Sequence, residues 1–154
     1  RQYFNETDQN LLKKLILSFQ YNLQPIFCFG ETQTDRESGN YLSIIQQQLE
    51  KTIMQLPEHD MLNLILAYEP IWAIGTGANA LPNQIEEVHS CVHELIAQKF
   101  NINIADEVSV LYGGSCNIDN AKSILCQKHV NGLLIGGASL DFDHLCKIIQ
   151  VANQ

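Results

Sequence analysis

The chain has few basic residues: 9 Lys and Arg stand against 17 Asp and Glu, giving its 154 residues a net charge of −8. Because an acidic surface repels phosphodiester backbones and anionic headgroups, this composition argues against nucleic acid and membrane surfaces as partners. Long apolar runs are absent too, and the first residues show no signal-peptide pattern. We therefore expect a cytoplasmic protein.

Paired cysteines and metal-ligand spacings are also lacking. The five cysteines are an odd number without a Cys-x-x-Cys spacing, which favours reduced, packed thiols over disulfides or a zinc site. Cys28 lies in an apolar run and is expected in the core. His89 and His93 are four residues apart on a predicted helix, but no third ligand accompanies them, so a solvated helix face is favoured. We expect no metal.

Hydrophobic periodicity predicts helices that alternate with short buried strands. Apolar residues recur at helical spacing over 11–19, after a possible N-cap at Thr7 or Asp8, and over 41–53, with an end near Pro57. The same spacing is seen over 82–96, 121–125 and 140–151. Apolar runs typical of strands lie at 25–29, 62–68, 108–112 and 130–135. Each gap between runs is long enough for a crossover helix, so the pattern predicts an α/β fold with a parallel sheet covered on both faces. No linker or domain boundary interrupts residues 1–154.

The four predicted strands end in similar residues. The ends are Gly30-Glu31, Glu69-Pro70, Gly113-Gly114-Ser115 and Gly136-Gly137-Ala138. In a parallel sheet these ends lie along one edge, where α/β proteins bind ligands. Glycines allow backbone N–H groups to approach an oxyanion, and a helix N-terminus adds partial positive charge. Phosphate is therefore the leading ligand, since such donors need no lysine.

Glu69 is the candidate catalytic residue. It ends an apolar run, and a loop containing Gly75 and Gly77 follows it. A carboxylate at a strand end before a flexible flap suits proton abstraction in a site that must exclude water. On these residues alone, a surface strand end is an equally good interpretation.

The segments AYEPIWAIGTG, VLYGGS and GLLIGGASL resemble, in order and spacing, the sixth, seventh and eighth strand–loop units of the triosephosphate isomerase family. PIFCFGE resembles the fifth strand. The resemblance implies a (β/α)8 TIM barrel of which this chain covers the last four strand–helix units, with the N-terminal part absent. It also implies interconversion of glyceraldehyde 3-phosphate and dihydroxyacetone phosphate through an enediol(ate), in glycolysis and gluconeogenesis, by a cofactor-free homodimer.

The resemblance assigns roles residue by residue. Glu69 matches the catalytic base, and Pro70 and Trp72 match the first hinge of the closing loop. Positions that match backbone donors to the substrate phosphate are Gly75, Ser115, Gly136 and Gly137. Glu31 and Tyr112 match residues that hold the loop, through the Trp72 indole and the loop backbone respectively. The second hinge, Ala78-Asn79-Ala80, departs from the common pattern.

Two alternatives to a complete isomerase remain. The resemblance places the family's asparagine–lysine pair and histidine electrophile before residue 1, and no histidine here matches that electrophile. The chain is therefore either part of an enzyme that has a companion piece or an inactive phosphate-binding fragment. Another phosphate-handling (β/α) barrel is the second alternative.

Alone, the chain is expected to be inactive and poorly stable, with exposed apolar side chains at Ile26, Phe27, Ile65 and Leu134. Residues 35–37 are expected to form a solvated loop.

Overall fold

The computed structural model describes residues 4–74 and 78–153 and confirms the alternation of helices and strands. The strands are β1 (Ile26–Phe29), β2 (Ile65–Tyr68), β3 (Ser109–Tyr112) and β4 (Gly132–Leu133). The longer helices are α1 (Asp8–Gln20), α3 (Tyr41–Glu50), α5 (Pro82–Lys99), α7 (Ile118–Leu125) and α8 (Phe142–Ala152). Shorter helices are α2 (Gln33–Glu37), α4 (Glu58–Met61) and α6 (Ile102–Glu107).

Local sequence explains where the main helices begin. The Thr7 side chain accepts a hydrogen bond from the Asn10 backbone N–H, which caps α1 as expected. Pro82 occupies the first turn of α5, where a missing N–H costs nothing. The Asn117 side chain accepts from two backbone N–H groups and starts α7 three residues before the predicted segment.

The sheet is parallel, with the strands in the order β1-β2-β3-β4. Its register aligns Phe29, Tyr68 and Tyr112 at the carboxyl ends of β1, β2 and β3. Leu133 of β4 pairs with Tyr112 in the same row. Every strand-end segment singled out above therefore lies along one edge of the sheet.

The two faces of the sheet differ, and this corrects the expectation that helices cover both. On β1, Phe27 and Phe29 point into the core, whereas Ile26 is 46% exposed and Cys28 is exposed as well. The expected burial of Cys28 and exposure of Phe27 are both wrong, because strand residues alternate and Phe27 packs on the helix side with Leu15. Ile65 and Leu134 are partly buried rather than exposed.

Further corrections concern histidine and the segment after β1. His89 is fully buried, with its Nδ1–H donating to the His129 carbonyl oxygen at 3.0 Å, so the expected solvated face is wrong there. Burial lowers the pKa of His89 to about 4. Residues 35–37 belong to α2 instead of a solvated loop, and the Arg36 side chain is only 12% exposed.

Candidate active site

Backbone hydrogen bonds between neighbouring strands continue into the loops at the carboxyl edge of the sheet. The Glu69 N–H donates to the Phe29 carbonyl at 2.8 Å, and the Gly113 N–H donates to the Tyr68 carbonyl at 2.8 Å. The Leu134 N–H donates to Tyr112 at 2.9 Å. These bonds fix where each strand-end loop begins and bring Glu69 and the described residues after β1, β3 and β4 onto a common rim.

Two glycines shape the surroundings of Glu69, which is half-buried. A Cβ atom at Gly113 would lie 2.7 Å from Glu69 Cγ and 3.2 Å from its Oε1. A Cβ atom at Gly30 would lie 2.0 Å from the Glu69 carbonyl oxygen. Both distances are too short for a side chain, so glycine at these positions leaves the space in which Glu69 stands.

The loop after Glu69 starts with an ordered turn. Pro70 is buried and precedes a 3-10 turn over Ile71–Ala73, in which the Ala73 N–H donates to the Pro70 carbonyl at 2.9 Å. The Ile71 N–H donates to the Glu31 carbonyl at 3.0 Å. The first hinge predicted from the sequence is thus attached to the loop that follows β1.

Glu31 holds this hinge through its side chain. Its fully buried carboxylate accepts hydrogen bonds at Oε1 from the Trp72 indole N–H (2.9 Å) and from the Tyr68 hydroxyl (3.0 Å). Burial raises the pKa of Tyr68 far above its ordinary value, and the Glu31 charge adds to that rise, so the hydroxyl stays a donor. This hydrogen bond joins the two residues that the family resemblance pairs, and the role of Glu31 in holding the closing loop stays a prediction.

Tyr112 lies close to the Ala80 backbone in the second hinge. Burial raises the pKa of Tyr112 to about 12, and the Ala80 backbone opposes that rise slightly. Within the described ranges the Tyr112 hydroxyl has no partner at hydrogen-bond geometry. Its role in holding the loop backbone therefore stays a prediction.

The predicted phosphate donors are only partly open. The Ser115 N–H donates to the Ala73 carbonyl at 3.2 Å, so the first hinge occupies it in this conformation. Gly136 and Gly137 are exposed, and a Cβ on either would meet no atom within 4 Å. Gly75 lies outside the described residues. The role of these four positions in phosphate binding remains a prediction.

Sequence reasoning missed Arg36 and Tyr68, which both contact Glu31. Arg36 Nη1 lies 3.7 Å from Glu31 Oε1. A signal for its placement exists in Thr32 and Asp35, whose spacing is typical of a helix N-terminus and which form a reciprocal capping box in the structure. That pattern predicts a helical turn after Thr32, and such a turn places the Arg36 side chain close to Glu31.

Two features of residues 4–74 and 78–153 bear on other classes of function. No group of three His, Cys, Asp or Glu side chains is arranged to hold a metal ion there. Among the same residues, no helix combines the length and the apolar character that crossing a bilayer requires.

Comparison with known proteins gives one consistent family. The family model described as triosephosphate isomerase matches residues 1–152. A triosephosphate isomerase from Cytophaga hutchinsonii is 45% identical over 150 residues, covering 96% of this chain and 60% of that protein. Triosephosphate isomerases from Porphyromonas gingivalis and Flavobacterium johnsoniae are each 43% identical, over 97% of this chain and 60% of theirs. The chain thus spans about 60% of the length of these relatives.

Proposed function

The chain belongs to the triosephosphate isomerase family, and we propose that it supplies the catalytic base and closing loop of an enzyme interconverting glyceraldehyde 3-phosphate and dihydroxyacetone phosphate. The observation that carries this proposal is the rim around Glu69. Its carboxylate stands at the end of β2 in a space left by Gly113, beside a hinge held by the contact of Trp72 with Glu31.

In the proposed reaction Glu69 removes a proton from the carbon next to the substrate carbonyl. The electron pair of that C–H bond forms the carbon–carbon double bond of the enediolate, and the carbonyl oxygen takes the negative charge. The hydroxyl proton of the enediolate passes from its oxygen to the charged oxygen on the neighbouring carbon, in the part of the site that polarises the carbonyl. Glu69 then returns its proton to the carbon that carried the original carbonyl, and the carbonyl has moved by one position. No cofactor takes part, and closure of the loop keeps water from the intermediate.

Backbone N–H groups of Gly75, Ser115, Gly136 and Gly137 bind the substrate phosphate in this proposal. A chain of net charge −8 needs local donors for an anion, and the open space around Gly136 and Gly137 leaves room for one. Because Ser115 donates to Ala73 here, phosphate binding requires the first hinge to release that N–H. Substrate binding and movement of the loop are therefore coupled at Ser115.

We also propose that residues 1–154 form the last four strand–helix units of a single barrel domain. Within the described residues, β1 and β4 each pair on one side, and Ile26 and Cys28 face away from the helices. In a closed barrel both edges pair and such side chains fill the interior. The remaining strands would carry the groups that polarise the carbonyl, and the whole enzyme would be a cytoplasmic homodimer.

Size-exclusion chromatography and thermal unfolding of the 154-residue chain test the domain proposal. We expect self-association or a broad transition, and no isomerase activity until an N-terminal barrel segment is added. A monodisperse 17.4 kDa monomer with a cooperative transition would contradict the structural part. Substantial activity of the chain alone would contradict the catalytic part.

The base assignment is tested in the full-length protein with Glu69→Asp and Glu69→Ala. Asp retracts the carboxylate by one methylene, and misplacement of about 1 Å costs on the order of 100-fold in turnover. We expect Glu69→Ala to lose more, with little change in melting temperature. Near-normal turnover of Glu69→Ala would refute the assignment, whereas absence of turnover in the unaltered full-length protein would favour a non-catalytic phosphate-binding module.

A further inference from the structure

The Glu31 carboxylate poses a problem of buried charge. It is fully buried, and the two groups that donate hydrogen bonds to it, Tyr68 and Trp72, are both neutral. A buried carboxylate without a positive partner is costly. Within the part of the chain that the structure describes, the basic group ion-paired with Glu31 is Arg36.

Arg36 is held in place by contacts of its own. The capping box between Thr32 and Asp35 starts α2, and this turn brings the guanidinium over the Tyr41 ring at 3.9 Å. Arg36 Nη2 lies 3.6 Å from Glu87 Oε2, while Nη1 faces Glu31 Oε1 at 3.7 Å. Helix α2, helix α3 and helix α5 thus fix one guanidinium group beside the hinge.

The distance of 3.7 Å is too long for a hydrogen bond, and both groups keep an unused atom. Arg36 Nη1 and Glu31 Oε2 are buried and form no hydrogen bond within residues 4–74 and 78–153. A movement of under about 1 Å would bring Nη1 within hydrogen-bond range of the carboxylate. In the present position Arg36 instead compensates the charge of Glu31 and leaves Oε1 available to accept the hydrogen bond from the Trp72 indole.

We propose that Arg36 is a positioning residue that holds the Glu31 carboxylate for Trp72 and thereby sets the balance between the two positions of the loop. Only the expected effect on isomerase turnover rests on the proposed function. Its structural content is the contact between Glu31 and Trp72, which can be measured without turnover.

The test follows Trp72 directly. Trp72 is the one tryptophan of the chain, and in the full-length protein its 5-fluorotryptophan 19F signal is assigned with Trp72→Phe. Arg36→Met removes the positive charge, and Arg36→Lys keeps the charge without the planar guanidinium group. Glu87→Gln is the matched control, which removes the other carboxylate near Arg36. Acrylamide quenching and kcat/KM are measured alongside.

Arg36→Met is expected to raise the population with Trp72 detached from Glu31 on the order of tenfold, which one charge-assisted contact supports. Arg36→Lys should show less than half of that effect. Glu87→Gln, which keeps the Arg36 charge and its contact with the Tyr41 ring, should change the 19F signal less than Arg36→Lys does. In a Glu31→Gln background, Arg36→Met should add nothing, because its effect passes through Glu31. If Arg36→Met does not fold, the comparison of Arg36→Lys with Glu87→Gln decides.

Three results would overturn the proposal. The first is an unchanged Trp72 signal in Arg36→Met, and the second is an equal effect of Glu87→Gln. The third is full additivity of Arg36→Met and Glu31→Gln. Failure of the proposed function is a separate outcome, seen as retained turnover in Glu69→Ala while the Trp72 signal still responds to Arg36.

Discussion

Gly113→Ala is the most direct perturbation of the candidate base. The added Cβ would lie 2.7 Å from Glu69 Cγ, whereas carbon atoms in contact stay about 3.5–4.0 Å apart. The Glu69 side chain must therefore retreat by about 1 Å, since its Cγ is the nearest atom and can rotate away. The carboxylate moves with it, because Oε1 would also lie 3.2 Å from the new methyl group.

A retreat of this size predicts a loss of turnover without a loss of fold. Displacement of a reacting group by about 1 Å costs on the order of 100-fold, or about 3 kcal/mol of barrier. Stability should change little, because a side chain yields rather than the backbone. Gly30→Ala is the contrasting variant: its Cβ would lie 2.0 Å from the Glu69 carbonyl oxygen, which cannot yield without moving β2. It should lower the melting temperature markedly.

Steady-state isomerase assays and thermal unfolding of the full-length protein compare the two variants. The double variant Glu69→Ala/Gly113→Ala controls for effects that do not pass through Glu69 and should be no slower than Glu69→Ala alone. Turnover of Gly113→Ala within about twofold of the parent protein would refute the reasoning, since a displacement of about 1 Å predicts a far larger loss of turnover. An equal loss of stability in Gly113→Ala and Gly30→Ala would refute it as well.

Other predictions concern phosphate and pH. Gly137→Val should raise KM for the triose phosphates about tenfold or more and weaken inhibition by inorganic phosphate, because the added side chain would keep the phosphate away from one or two backbone N–H donors. It should leave melting unchanged because the site is open. Since the pKa of buried His89 falls from 6.5 to about 4, the unfolded state binds more protons between these values. Stability should therefore fall by about 3 kcal/mol as pH drops from 6.5 to 4, and urea titrations of His89→Phe should lack this slope.

The alternation of helices with parallel strands and the position of Glu69 at a strand end could be predicted from the sequence, because both depend on local pattern. Continuous apolar runs are typical of parallel strands, and their carboxyl ends meet at one edge whatever the details of packing. Glu69 and Trp72 follow such an end directly. Their place at the edge of the sheet could therefore be predicted without knowledge of distant contacts. The residues that they contact there could not.

The burial of His89 was predicted wrongly although its pattern was visible. Ile85, Val92 and Ile96 mark the buried face of α5, and His89 follows Ile85 by four residues on that same face. The spacing of four residues between His89 and His93 suggested a shared metal or a solvated helix face instead. The hydrogen bond from His89 to the His129 carbonyl, which makes burial tolerable, joins residues 40 apart in sequence. Local spacing contains no sign of such a partner.

Glycines at the strand ends show why the rest of the site needed the structure. Sequence reasoning assigned Gly136 and Gly137, after β4, to phosphate, because exposed backbone N–H groups suit an anion. Gly136 and Gly137 have the open surroundings that this role requires, but Gly30 and Gly113 are glycine for another reason, since any Cβ there would collide with Glu69. The two reasons look the same in sequence. They separate only when the distance to a residue on the neighbouring strand is known, so the room that the base needs is a tertiary property of β1 and β3.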